Sequence, residues 1–115
     1  MVFFAITDEE REKRDVQLEA ALSSMAQGEV GAMEEFYELS KSQVYGFALS
    51  ILKNAHDAQD VMHDAYIKAF QAAAIYTPKG TPMAWLLTIV RNLALMKLRS
   101  RARTTDSGEE TIKLF

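Results

Sequence analysis

The chain has 115 residues, 49% of them apolar, and a formal net charge of −3. That is enough for one domain with a single core and too apolar for a disordered chain. With no cysteine it holds no disulfide and no thiolate metal site, and it fits a reducing cytoplasm; no apolar run approaches the roughly 18 residues of a membrane span, so no membrane insertion is expected.

The net charge hides a segregation. Residues 1–78 carry 6 Lys/Arg against 13 Asp/Glu, a net of −7. Residues 79–103 carry Lys79, Arg91, Lys97, Arg99, Arg101 and Arg103 against no acid, a net of +6, and residues 104–115 return −2. Such a split points to two partners of opposite sign, one polyanionic and one basic. The plainer alternative is a surface helix whose basic end complements its own dipole.

The start, Met1-Val2-Phe3-Phe4-Ala5-Ile6, is apolar but too short for a secretory h-region. Residues 8–26 read as a charged amphipathic helix. Thr7 or Asp8 caps it, Asp8, Glu9 and Glu10 suit its N-terminus, and Val16, Leu18, Ala21, Leu22 and Met25 form its stripe. Gln27-Gly28 ends it, with Gly28 as a left-handed cap. Residues 30–53 read as a second helix. Its core stripe is Met33, Phe36, Tyr37, Val44, Phe47, Ala48, Ile51 and Leu52, with Leu39 and Tyr45 beside them. Gly46 in its interior costs roughly 1 kcal/mol against Ala, so it is expected to mark a close helix–helix contact.

After the break at Lys53-Asn54-Ala55-His56, a third helix is expected over about 58–75. Asp57 caps it and Asp60 completes a box. Ala58, Val61, Met62, Ala65, Tyr66, Ala69, Phe70 and Ala73 face inward. A loop built on Thr77-Pro78-Lys79-Gly80 follows. Thr81 and Pro82 then start a fourth helix, with Pro82 at its first position, running to about Arg103. On that helix Leu86, Ile89, Val90, Leu93 and Met96 share one side. Ala84, Thr88, Arg91, Leu95 and Arg99 share the other, with Trp85 and Asn92 on a flank. Residues 104–115 are polar and turn-rich and read as a linker or tail. There is no strand signal and no repeat, so the fold class is all-α, a compact bundle of about four helices.

Two constellations can carry function. Asp60, His63 and Asp64 are helical neighbours at metal-ligand spacing, but no inward-facing His or acidic cluster on another helix completes a site. The other readings of this group are a solvated acidic face with a cap, and a docking face for a basic partner; the charge segregation favours docking. The second constellation is the loop with the basic helix. Single strands are held by basic grooves and by aromatics for unstacked bases, and Tyr76, Trp85, Asn92 and the cations supply those parts. Trp85 can equally belong to the core. No nucleophile–base pair and no Gly-rich phosphate loop occurs, so no enzymatic activity and no cofactor are expected.

At this point a family resemblance enters. Asp57-Ala58-Gln59-Asp60-Val61-Met62-His63-Asp64-Ala65-Tyr66 resembles the "DAEDVVQEVF" segment of sigma-70 family factors of the extracytoplasmic-function type. The run from Gly80-Thr81-Pro82-Met83-Ala84-Trp85 to Arg91-Asn92-Leu93-Ala94-Leu95 is similar to that family's "GSFRAWLLRIARNLAID". Gly28-Glu29 through Phe36-Tyr37 looks like its "GD…AFEELY" pattern, so three motifs fall in order over roughly residues 18–103.

The resemblance implies a region 2 domain over residues 1–103, a non-catalytic transcription initiation factor domain acting in the cytoplasm. It implies that Asp57, Asp60, Val61, His63 and Asp64 dock on core RNA polymerase, at the clamp helices of its largest catalytic subunit. It implies that promoter DNA, the non-template strand of the −10 element, meets Tyr76, Lys79, Gly80, Thr81, Trp85, Thr88, Arg91, Asn92, Lys97, Arg99 and Arg101. An anti-sigma partner is common in the family. His63 departs from its usual Gln, Asp64 from its Glu and Met96 from a common Asp. The family's region 4, a helix-turn-helix, is not found before Phe115. The competing reading is a helical interaction module that docks a regulator on the acidic helix and has no DNA role.

Overall fold

The computed structural model of the protein describes residues 7–76 and 81–108, with side chains through residue 103. The apolar start, Lys79, Gly80 and the end of the tail lie outside the described residues. Four helices make up the fold: α1 (Asp8–Ala26), α2 (Ala32–Leu52), α3 (Ala55–Ala72) and α4 (Pro82–Gly108), with a 3₁₀ turn at Ala73–Ile75 after α3. No strand occurs among the described residues, and the all-α expectation holds. α2 packs on α1, α3 and α4, and α3 also packs on α4.

α1 begins where its caps allow. Thr7 Oγ1 accepts the Glu10 N–H, and Glu10 Oε1 accepts the Thr7 N–H, both at 3.1 Å. This reciprocal box satisfies two donors that the first turn would otherwise leave open. Leu18, Ala21 and Leu22 are buried, whereas Val16, expected in the same stripe, is 69% exposed. Gly28 (φ 75°) and Gly31 (φ 88°) take left-handed conformations that turn the chain into α2.

The inward row of α2 is Phe36, Ser40, Val44, Ala48 and Leu52, one residue per four-residue step. Fully burying a Phe or Leu contributes roughly 1.5–3 kcal/mol each. Ser40 is the polar member of the row. Its hydroxyl donates to the Phe36 carbonyl (2.7 Å), so the Tyr66 O–H is left to donate to Ser40 Oγ (2.6 Å). Tyr66 thus brings α3 onto α2 by a satisfied buried bond and by ring contacts, edge-on to Phe36 and Tyr37 at 6.2 and 5.1 Å.

Four further expectations need correction. α3 begins at Ala55, not 58, because Asn54 is the cap: its Oδ1 accepts the Asp57 N–H at 2.8 Å. Asp57 therefore lies in the first turn, and its carboxylate is free for another partner. Gly46 marks no close contact. It is exposed, and a Cβ there would meet nothing within 4 Å. Met96, assigned to the apolar side of α4, is 56% exposed, and Ala94 is buried instead. Finally, α4 runs on to Gly108 through a stretch read as a linker. Once a long helix exists, each added residue costs little, so weak formers such as Thr and Ser are carried along.

Two outcomes follow from these contacts. Gly46→Ala should stabilise the fold by about 0.5–1 kcal/mol, because the helix gains propensity and no neighbour is displaced; an unchanged or lower denaturation midpoint would contradict the open site. Burial pushes the Tyr66 phenol up to about 12. An acid raised by folding stabilises the protein while it is protonated. That contribution is complete below about pH 10, the unfolded value, and is lost as pH rises through about 12. Tyr66→Phe should cost about 1 kcal/mol near neutrality, and its melting temperature should fall less steeply above pH 10 than that of the wild type.

Candidate functional site

The start of α4 is fixed by two local devices. Pro82 occupies the first helical position, and the Thr81 carbonyl accepts the Trp85 N–H at 3.2 Å. Tyr76, the last residue described before the loop, packs edge-on to Trp85, with ring centroids 5.0 Å apart. Both rings are half-buried against the core. Burial raises the Tyr76 phenol, and the nearby carboxylates of Glu19 and Asp15 raise it further. The Tyr76–Trp85 pair therefore joins α1, the 3₁₀ turn and α4 directly beside the loop.

Beyond this pair the outer face of α4 is polar and open. Thr88, Arg91, Asn92 and Arg99 are exposed. The Thr88 hydroxyl donates back to the Ala84 carbonyl at 2.9 Å, which leaves its lone pairs outward. Arg91 reaches Asn92 Oδ1 only at 3.5 Å, so both side chains remain available to a ligand.

Lys97 and Arg101 behave differently. Arg101 pairs with Asp57 of α3, and its second guanidinium nitrogen donates to the Leu52 carbonyl at the end of α2 (3.4 Å). One side chain thus closes an orphan helix carbonyl and neutralises a carboxylate whose side chain is only 15% exposed. Lys97 lies between Asp60 (3.5 Å) and Asp57 (4.0 Å). His56 also approaches Asp60, at 3.6 Å. The acidic and basic segments that look separate in sequence are therefore one contact, because α3 and α4 run antiparallel and bring the start of one to the end of the other.

The residues assigned to a docking face on α3 also divide. Val61 is 3% exposed and belongs to the core, so it supports the helix from beneath and offers no surface contact. Asp57 and Asp60 turn toward α4. His63 and Asp64 are exposed, and His63 sits at the rim of a groove of about 910 Å³ between α2 and α3. Met33, Tyr37, Tyr45, Met62, Tyr66 and Phe70 line the groove. Sequence reasoning gave these side chains wholly to the core, because helical period reports that a face is apolar and not what covers it. Among the described residues no cluster of three or more His, Asp or Glu is arranged to hold a metal, and no helix is long and apolar enough to cross a membrane.

Fold and surface together define an all-α domain in which an acidic helix braces the end of a cationic one. The family model for sigma-70 region 2 matches residues 36–104. Similar curated proteins include the ECF RNA polymerase sigma factor SigK of Mycobacterium sp. (strain KMS), 33% identical over 72% of this chain and 44% of that protein. SigK of Mycobacterium ulcerans is 32% identical over 76% and 47%, and SigK of Mycobacterium tuberculosis (strain H37Ra) is 30% identical over 71% and 44%. The chain belongs to the sigma-70 family, as a region 2 domain of the extracytoplasmic-function type. It spans less than half the length of the relatives it matches.

The Asp57–Arg101 pair should be measurable as a coupling. Asp57→Asn and Arg101→Gln, singly and together, should give a double-mutant coupling of about 1 kcal/mol in urea unfolding, since one partner is nearly buried and the other partly solvated. Strict additivity of the two changes would show that the contact contributes nothing.

Proposed function

We propose that the chain acts in the cytoplasm as the region 2 part of a transcription initiation factor, binding core RNA polymerase through α3 and promoter DNA through the 76–81 loop and α4. Its role is binding and positioning, not bond-making chemistry. The observation that carries the reading is the family match together with the open polar face of α4. That face presents Thr88, Arg91, Asn92 and Arg99 next to the Tyr76–Trp85 pair.

In this reading the clamp helices of the largest polymerase subunit meet His63 and Asp64, with Asp60 at the edge of the patch. The apolar groove beside His63 extends the face toward α2. The non-template strand of the −10 element crosses the loop and the outer face of α4. Extruding a base costs a few kcal/mol. Cations along α4 offset that cost through phosphates and give no sequence information, whereas a base held at the loop does. Trp85 acts from below: half-buried and braced by Tyr76, it holds the loop's base. Lys79, Gly80 and Thr81 form the loop side of the strand site. An anti-sigma partner would regulate the protein by covering one of these faces.

Retention on core RNA polymerase tests the docking half. Asp64→Lys should weaken it without lowering the melting temperature, because Asp64 is exposed; equal retention would refute the assignment. For the strand half, fluorescence anisotropy of the polymerase complex should favour a −10-like single strand over a scrambled one. Arg91→Ala and Arg99→Ala should each lower the salt slope by about 0.7, as expected for one lost phosphate contact. Equal affinity for both strands would end the recognition claim.

A further inference from the structure

The pairing of α3 with α4 bears on how strongly the chain can hold a strand. Of the cations on α4, Lys97 and Arg101 face carboxylates of the same chain. A cation already matched by a carboxylate contributes little field and releases few counterions when a phosphate arrives. The two pairs differ in strength. Arg101 is tied to a nearly buried Asp57 and to the Leu52 carbonyl, so releasing it would break the corner between α2 and α3. Lys97 stands 3.5 Å from Asp60, longer than a good charge-assisted bond, and the two side chains are 34% and 47% exposed. An exposed contact of that kind contributes little, so a phosphate can replace it.

We propose that Asp60 is an internal competitor for the phosphate site at Lys97, so that strand affinity along the end of α4 is set by what holds the Asp60 carboxylate. In the free chain Asp60 keeps Lys97. When a cationic group of a docked partner takes Asp60, Lys97 turns to the strand. Asp60 is thereby a positioning residue for the DNA face rather than simply a docking contact. This coupling between the two faces rests on the polymerase reading above, while the competition itself is a property of the chain alone.

The test is a double-mutant cycle on the free 115-residue chain, read by fluorescence anisotropy with a labelled single-stranded oligonucleotide. It should be run near 0.15 M ionic strength, where the Debye length of about 8 Å screens more distant charges. Asp60→Asn should tighten binding roughly two- to fivefold when Lys97 is present. The same change in a Lys97→Ala background should give clearly less. Equal tightening in both backgrounds would reduce the effect to a general loss of negative charge and overturn the proposal, as would no tightening or no binding by Asp60→Asn at all. Both side chains are part-exposed, and melting curves of all four chains check that each is folded. With core RNA polymerase added at a concentration shown to saturate each chain, the wild type should gain more strand affinity than Asp60→Asn, which has already gained part of it. If polymerase does not bind while the free-chain cycle still shows coupling, the docking reading falls and the competition stands.

Discussion

Arg101 holds together the corner on which the rest of the arrangement depends. α2 ends at Leu52, and only Lys53 and Asn54 connect it to α3. Lys53 sits in the left-handed region (φ 55°), which is costly for a residue with a Cβ. The turn is compensated on both sides. Lys53 N–H returns to the Leu49 carbonyl at 2.8 Å, and Asn54 caps α3. Arg101 then closes the corner from outside, on the Leu52 carbonyl and the Asp57 carboxylate. A lysine there could neutralise Asp57 but would lack the planar fork that serves two acceptors on two elements.

With that end fixed, α4 is held at both ends. Trp85 and Arg101 lie sixteen positions apart, about 24 Å of helix at 1.5 Å per residue. Between them Leu86, Val90 and Ala94 meet the core that α3 lines with Ala58, Ala65 and Ala69. The alanines let the two axes approach, so that side chains from one helix reach carboxylates on the other. The opposite face of the same span stays in water, where Thr88, Arg91 and Asn92 project from a helix that cannot easily rotate. A binding face on a helix anchored at both ends needs little ordering when a ligand arrives.

Most of this fold was legible in the sequence, for a definite reason. Apolar residues at helical period, Thr7 before three acids, and Pro82 after Thr81 are local signals, and the elements they announce are present. What was misread was non-local or sterically quiet. Ser40 is polar and was left out of the core stripe, yet it is buried, because its partner Tyr66 lies 26 residues away. Gly46 was given a packing reason where the structure provides none. Asp57 and Asn54 are both capable caps, and only the geometry shows that Asn54 serves, because Asp57 is engaged by a residue 44 positions on. The family was readable from three motifs in order, but which motif residues face outward was not. Val61 was placed inward by its helical period and is core, although the resemblance also gave it a docking role, while Tyr37 and Tyr45 share the core stripe and line an open groove.

The same limit governs the charges. Counted along the chain, an acidic block followed by a basic one implies two independent surfaces and two independent partners. An antiparallel pair of helices folds such a sequence so that the end of the basic block lies on the start of the acidic helix, and part of each charge is spent within the molecule. The outward field is then carried by residues whose partners are not on α3, Arg91 and Arg99 among them. Charge segregation in a helical hairpin therefore measures two things at once, how tightly the helices hold each other and how strongly they attract ligands. Raising the second without lowering the first requires that some pairs be part-buried and fixed, as Asp57–Arg101 is, and others long and more solvated, as Asp60–Lys97 is.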